Sequence, residues 1–198
     1  MPEGFIPKHG GYRNLLSYQR AAVVYDGTVR FCGRYLERRD RTVDQMVQTA
    51  RSGKQNIVEA SMASGTSKET EIKLTNVARA SLEELKEDYR DFLRLRGFEE
   101  WGKSHPYAKR LSELVRTPGA NYDTFRKAVE HPDPAIAANA ILGLIKITTY
   151  LLDQQIRQLE KAFVEEGGLR ERMTRARLNE RSRQAVTKPR GNFRNQKP

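Results

Sequence analysis

The sequence predicts an all-α protein: an antiparallel up-down four-helix bundle with a helical insertion between its third and fourth long helices and a basic C-terminal extension. Three observations point there. Four stretches place apolar residues at alternating three- and four-residue spacing, which keeps one stripe facing a partner helix in near-parallel packing. No stretch reads as a convincing strand. Hydrophobic residues make up 37% and charged residues 31% of 198 residues, enough for one core beneath a large, well-charged surface. The expected boundaries are a loose, Gly- and Pro-rich arm over 1–13, a bundle over 14–166 that includes an insertion at 98–132, and a basic tail over 167–198.

The first helix is expected from about Asn14 to Glu37, with Leu15, Tyr18, Ala22, Tyr25, Val29, Cys32 and Leu36 as its seam. Cys32 reads as a small core residue, because burial among apolar groups suppresses the thiolate. The second helix covers about Thr42 to Ser64, with Val43, Met46, Ala50, Gly53, Ile57 and Ala60 in line. Gly53 costs helix propensity, so its place on the seam suggests close backbone approach. The third begins at TSKE, where Thr66 and Glu69 have capping-box spacing. Its stripe is Thr75, Ala78, Leu82, Leu85, Tyr89 and Phe92, and Gly97 is its stop. The carboxylates of EELKED, Glu83 to Asp88, read as its solvated face.

The pattern then breaks up. HPYAKRLSELVR and NYDTFRKAVEH read as two short helices joined by a TPGA turn. That is too long for a plain connection, so the segment is either a lid on the bundle or a partner site. The last long helix starts at Asp133-Pro134, an N-cap followed by a first-turn proline. Its seam is Ala138, Leu142, Ile145, Thr149, Leu152, Ile156, Leu159 and Phe163, and Gly167-Gly168 ends it. Leu16, Val24, Phe31 and Tyr35, with Ile136, Leu144, Ile147 and Leu151, fall partly outside these seams and imply a second buried face. The insertion or a neighbouring subunit would cover it.

Charge is the main functional clue. The formal net charge is +11, and +8 of it lies from Arg170 onward, where ten Lys and Arg face only Glu171 and Glu180. Leu169, Met173 and Ala176 share one side of a helix there, with arginines on both remaining flanks; beyond Gln184 the chain is expected to be disordered. Segregated basic charge implies an acidic partner, nucleic acid before anionic membrane, unless the tail serves solubility alone. The candidate nucleic-acid-binding residues are Arg170, Arg172, Arg175, Arg177, Arg181, Arg183, Lys188, Arg190, Arg194 and Lys197. Phe193 would add one ring for base stacking. Few apolar residues accompany this charge, which argues against membrane binding. The single cysteine excludes an intramolecular disulfide, MPEGFIPKHGGYRN has no apolar core of signal-peptide length, and no run approaches a membrane span, so a cytoplasmic protein is expected.

RSGKQNIVEAS at 51–61, followed by SLEEL at 81–85, resembles the four-helix-bundle family of bacterial large-subunit rRNA intervening-sequence proteins. That family carries a NIAEG-like stretch late in its second helix and a SLxEL-like stretch in its third. Asn56, Ile57 and Glu59 match the first, Ala60 only after a register change, with no glycine directly following; Ser81, Leu82, Glu84 and Leu85 match the second. The resemblance covers about residues 14–97 and, more weakly, 135–165. It implies a homo-oligomer, commonly a five-fold ring. It extends to the accessory protein of diversity-generating retroelements, which works with a reverse transcriptase and its RNA. The insertion and the basic extension depart from the short family pattern and look like its suffix-bearing branch. Asn56 and Glu59 either bond to neighbouring helices and fix register or serve a ligand.

No catalytic constellation stands out. His9, His105 and His131 sit in expected loops without metal-ligand spacing, and no di-iron-type ExxH repeat or Gly-rich phosphate loop occurs. The sequence thus predicts a non-catalytic oligomer that binds RNA, a scaffold or chaperone in a ribonucleoprotein, needing no cofactor or metal. The alternative is a protein-interaction adaptor, an accessory subunit of a reverse transcriptase, working through 98–132.

Overall fold

The computed structural model of the protein describes residues 9–37, 39–117 and 119–187, and the described residues are helical with no strand. A 3-10 turn (Tyr12–Asn14) precedes α1 (Leu16–Tyr35), α2 (Arg41–Ala63), α3 (Lys68–Leu95), the short α4 (Pro106–Val115) and α5 (Tyr122–Val129), then α6 (Pro134–Glu166) and α7 (Leu169–Thr187).

Side-chain caps start most of these helices where turn-forming residues meet an apolar stripe. Asp40 accepts from Thr42 N–H, and Asp133 accepts from Ala135 N–H beside Pro134 in the first turn. Asn121 and Thr124 form a reciprocal capping box. At α3 the cap is Ser67, whose hydroxyl accepts from Thr70 N–H at 3.1 Å. Thr66, the expected cap, instead donates back to Ala63 O and closes α2. Gly97 and Gly167 end α3 and α6 at φ +69° and +74°, a conformation that side chains disfavour.

The long helices meet in a circuit: α1 against α2, α2 against α3, α3 against α6, and α6 against α1. Contacts along α1 and α6 run in opposite senses, with Ser17 bonded to Gln155, Gly27 against Ile141, and Tyr35 bonded to His131 O. The α2 and α3 stripes are buried as expected, except that Val43 is half-buried. Gly53 does permit close approach, because a Cβ there would lie 2.8 Å from Leu82 Cγ and Cδ2. Ser52 and Ser81 share a hydrogen bond at 3.0 Å one residue away. The two stretches that carried the family resemblance therefore touch each other. Asn56 bonds only within its own helix, to Ser52, and Glu59 is exposed, so neither ties α2 to another helix.

The α1 seam needs correction. The buried line is Ser17, Ala21, Val24, Thr28 and Phe31, while Val29 is 41% exposed. Aromatic volume decides the rotation: Phe31 packs on Tyr89 at 5.0 Å and on Phe92 at 4.8 Å between ring centroids. Val24 and Phe31 thus belong to the main core and not to a second face, and Leu16 is 55% exposed. Cys32 remains core, and burial pushes its thiol up to about 12. The EELKED face is only partly solvated: Glu83 pairs with Lys86, and Asp88 is half-buried with one carboxylate oxygen lacking a partner.

On α6 the expected seam is buried from Ala138 through Leu152, then emerges, leaving Phe163 41% exposed. Its second face is real and intramolecularly covered. Leu144 is buried, and Ile136, Ile147 and Leu151 are half-buried; Ile136 lines a groove with residues of α4 and α5, and Ile147 one with residues of α4. The tip of Leu111 occupies the space a Cβ on Gly143 would need. By length and composition this region is apolar enough to cross a membrane, contrary to the expectation above; 61% of its most apolar stretch is buried within the protein.

Arg20 anchors the insertion. Only 2% exposed, it reaches from α1 to donate to Val115 O at 3.0 Å and to Ala120 O, with Phe125 beneath its guanidinium. Val115 O is among the last carbonyls of α4, which have no partner in their own helix. Of the expected arm, residues 1–8 lie outside the described residues, and Gly10 N–H is held by Ser61 O.

Candidate nucleic-acid interface

The basic segment forms α7, a helix that continues to Thr187 and so passes the expected end at Gln184. It follows the Gly167-Gly168 break, where Gly168 N–H is capped by the Glu171 carboxylate at 2.9 Å. Its first turn lies near α3 and α6: Leu169, Arg170 and Glu171 share a shallow cavity with Phe163 and with Ser67, Lys68 and Glu69 at the start of α3. Beyond that, α7 packs extensively on none of the other helices.

Six of the ten expected binding residues are on this helix. Arg170, Arg175, Arg177, Arg181 and Arg183 are exposed; Arg172 is half-buried, its Nε without a hydrogen-bond partner. At about 100° per residue, Arg170, Arg177 and Arg181 align within about 40° along one flank, and Arg172, Arg175 and Arg183 spread over a broader arc of about 80° on the other. Each line spans roughly 16 Å at about 1.5 Å rise per residue. Leu169, Met173 and Ala176 separate the lines on one side. A helix with two cationic flanks can meet phosphates of two backbone segments at once. Lys188, Arg190, Arg194, Lys197 and Phe193 lie outside the described residues.

A second cationic surface escaped the sequence reading. It lies on the insertion, around Trp101, His105 and Tyr107. Trp101 and His105 stack in parallel at 4.7 Å, and Tyr107 stands 5.3 Å from Trp101 and 5.6 Å from His105. Tyr107 is 55% exposed. Lys103, Arg110, Lys127 and Lys146 line the grooves on either side of Trp101. The available signal was local: WGKSHPY places three rings and a lysine within seven residues. It was passed over because no helical or strand period links them.

Among the described residues, no group of three His, Cys, Asp or Glu side chains is placed to hold a metal ion. No protein-family model, no curated protein and no solved structure matches this chain.

Proposed function

We propose that this chain is a non-catalytic, RNA-binding, homo-oligomeric four-helix bundle of the cytoplasm, acting as a scaffold or chaperone within a ribonucleoprotein. The observation that carries the reading is the segregation of basic charge into the C-terminal segment, six of whose arginines lie on α7, a helix that packs extensively on no other, with five of them exposed. Such a helix neutralises phosphates and releases counterions without requiring a particular base sequence. The up-down bundle is supported by the closed circuit of α1, α2, α3 and α6 and by the opposed contacts along α1 and α6.

Self-association, as a ring and by resemblance a pentamer, is supported by large apolar side chains left on the surface. Leu16 is 55%, Met62 51% and Tyr150 62% exposed. A ring would present one α7 per subunit, and several weak arms acting together bind far more tightly than one.

Replacing Arg170, Arg177 and Arg181 by Gln tests the reading, since Gln keeps good helix propensity. Each phosphate contact on single-stranded RNA contributes about 0.7 to the slope of log K against log salt, so the slope should flatten by about two. Between 50 and 200 mM salt, that makes the salt-induced loss of affinity about 16-fold smaller than for the unaltered chain. An unchanged slope would remove α7 from the interface.

A further inference from the structure

We infer that the Trp101–His105–Tyr107 cluster is a stacking site for an unpaired nucleobase, so that the body of the protein selects single strands while α7 supplies general attraction. This inference rests on the RNA-binding reading but assigns a separate site to it.

The platform is built and held. The Trp101 backbone N–H donates to Asn139 Oδ1 at 2.8 Å, and Asn139 Nδ2 donates to the Glu99 backbone carbonyl at 2.9 Å. Asn139 is only 3% exposed, so these bonds face no competition from water. The intervening Glu100 carboxylate binds Lys146 Nζ at 2.6 Å and Arg90 Nε at 3.1 Å. Residues 99–101 are thereby fixed to α3 and α6 before any ligand arrives, which lowers the ordering cost of binding.

The surroundings fit a base with its phosphates. Two grooves of about 190 and 360 Å³ meet at Trp101. Arg110 and Lys127 line the first and Lys103 and Lys146 the second; Arg110 is paired with Glu113 and Lys146 with Glu100, which leaves Lys103 and Lys127 as the cations open to a phosphate. Lys103 and Lys127 have no ion-pair partner among the described residues. Aromatic faces flanked by cations serve any base, because every base offers a π-face, while the cations follow the backbone. An acidic peptide would satisfy the cations, but it would make no use of the exposed part of the Tyr107 ring.

Trp101 is the sole tryptophan, so its fluorescence reports the site directly. The experiment titrates the full chain with a ten-nucleotide oligouridylate, following tryptophan emission and the anisotropy of labelled RNA together. Inorganic polyphosphate and poly-glutamate serve as controls. Oligouridylate should quench Trp101 at saturation and polyphosphate should not. Tyr107→Ala, at an exposed position, should weaken binding roughly five- to a hundred-fold. The Arg170/Arg177/Arg181→Gln variant should bind more weakly yet quench fully once saturated. Binding without quenching, equal quenching by polyphosphate, or no effect of Tyr107→Ala would overturn the stacking site and leave the α7 reading intact. Quenching by poly-glutamate alone would assign the groove to an acidic protein partner and overturn it as well. No binding of oligouridylate would overturn both readings.

Discussion

Arg20 is the residue on which the docking of the insertion depends most directly, and Arg20→Met tests that dependence. Methionine keeps the length and apolar stem but removes the guanidinium, so Phe125 retains a neighbour while Val115 O and Ala120 O lose their donors. A hydrogen bond from a charged donor contributes about 1.5–3 kcal/mol, so two such bonds would be worth about 3–6 kcal/mol. Part of this is offset, because the substitution also removes a buried cation. Burial already lowers the Arg20 pKa, and its Nε has no partner. The expected net loss is about 2–4 kcal/mol, a large share of the roughly 5–15 kcal/mol that holds a domain folded. Urea denaturation measures the loss, and hydrogen exchange locates it. Amides of α4 and α5 should exchange faster, while those of α2 and α3 keep their order of protection. A loss below about 1 kcal/mol with α4 and α5 protected as before would refute the reasoning, and would shift the attachment to the apolar contacts of Phe125, Val129 and Leu111 and to the bonds of Asn139, Glu100 and Tyr35.

Three further outcomes follow from the same packing. Gly53→Ala should gain helix propensity yet destabilise by about 1–2 kcal/mol in thermal melts, because its Cβ meets the fully buried Leu82; adding Leu82→Ala should prove less than additive. Asp88 is pushed up to about 6 by burial, with Glu84 and Asp91 adding to the shift, so ionising it opposes folding. The contribution of Asp88 to stability should therefore fall as pH rises from about 4 through 6, and Asp88→Asn should stabilise by about 1–2 kcal/mol relative to the unaltered chain above that window and little below it, a contrast between the two chains that denaturation at pH 4 and pH 7 measures. Asn139→Ala should release residues 99–101, cost about 1–3 kcal/mol, and shift the Trp101 emission toward that of a solvated indole.

Where a helix buries a single stripe, as α2 and α3 do, spacing alone identified nearly every core residue, from Met46 to Ala60 and from Thr75 to Phe92. The stop at Gly97 and the cap at Asp133 were legible for the same local reasons. The α1 helix was misread because it buries a broad arc. Two staggered lines there both satisfy the 3-4 rule, and only the meeting of Phe31 with Tyr89 and Phe92 decides between them. Arg20 was invisible because an arginine among apolar residues looks like surface; its burial is created by carbonyls about a hundred residues away. For the candidate sites, six tail arginines could be placed on α7 because charge segregation is a property of composition. The Trp101 cluster depends on the clamp between Glu99, Trp101 and Asn139, which joins positions about forty residues apart and leaves no periodic trace.

The central claim is that α7 is the nucleic-acid arm and the helical body its platform. The most direct test measures binding to structured RNA, single-stranded RNA and duplex DNA across a salt series, comparing the full chain with a version ending at Gly168. Because α7 packs extensively on no other helix, the shortened chain should retain its fold. Full-length binding should be steep in salt, and the shortened chain should lose most of its affinity, retaining only weak binding to single strands. Equal binding by both versions, or full-length binding indifferent to salt, would contradict the claim.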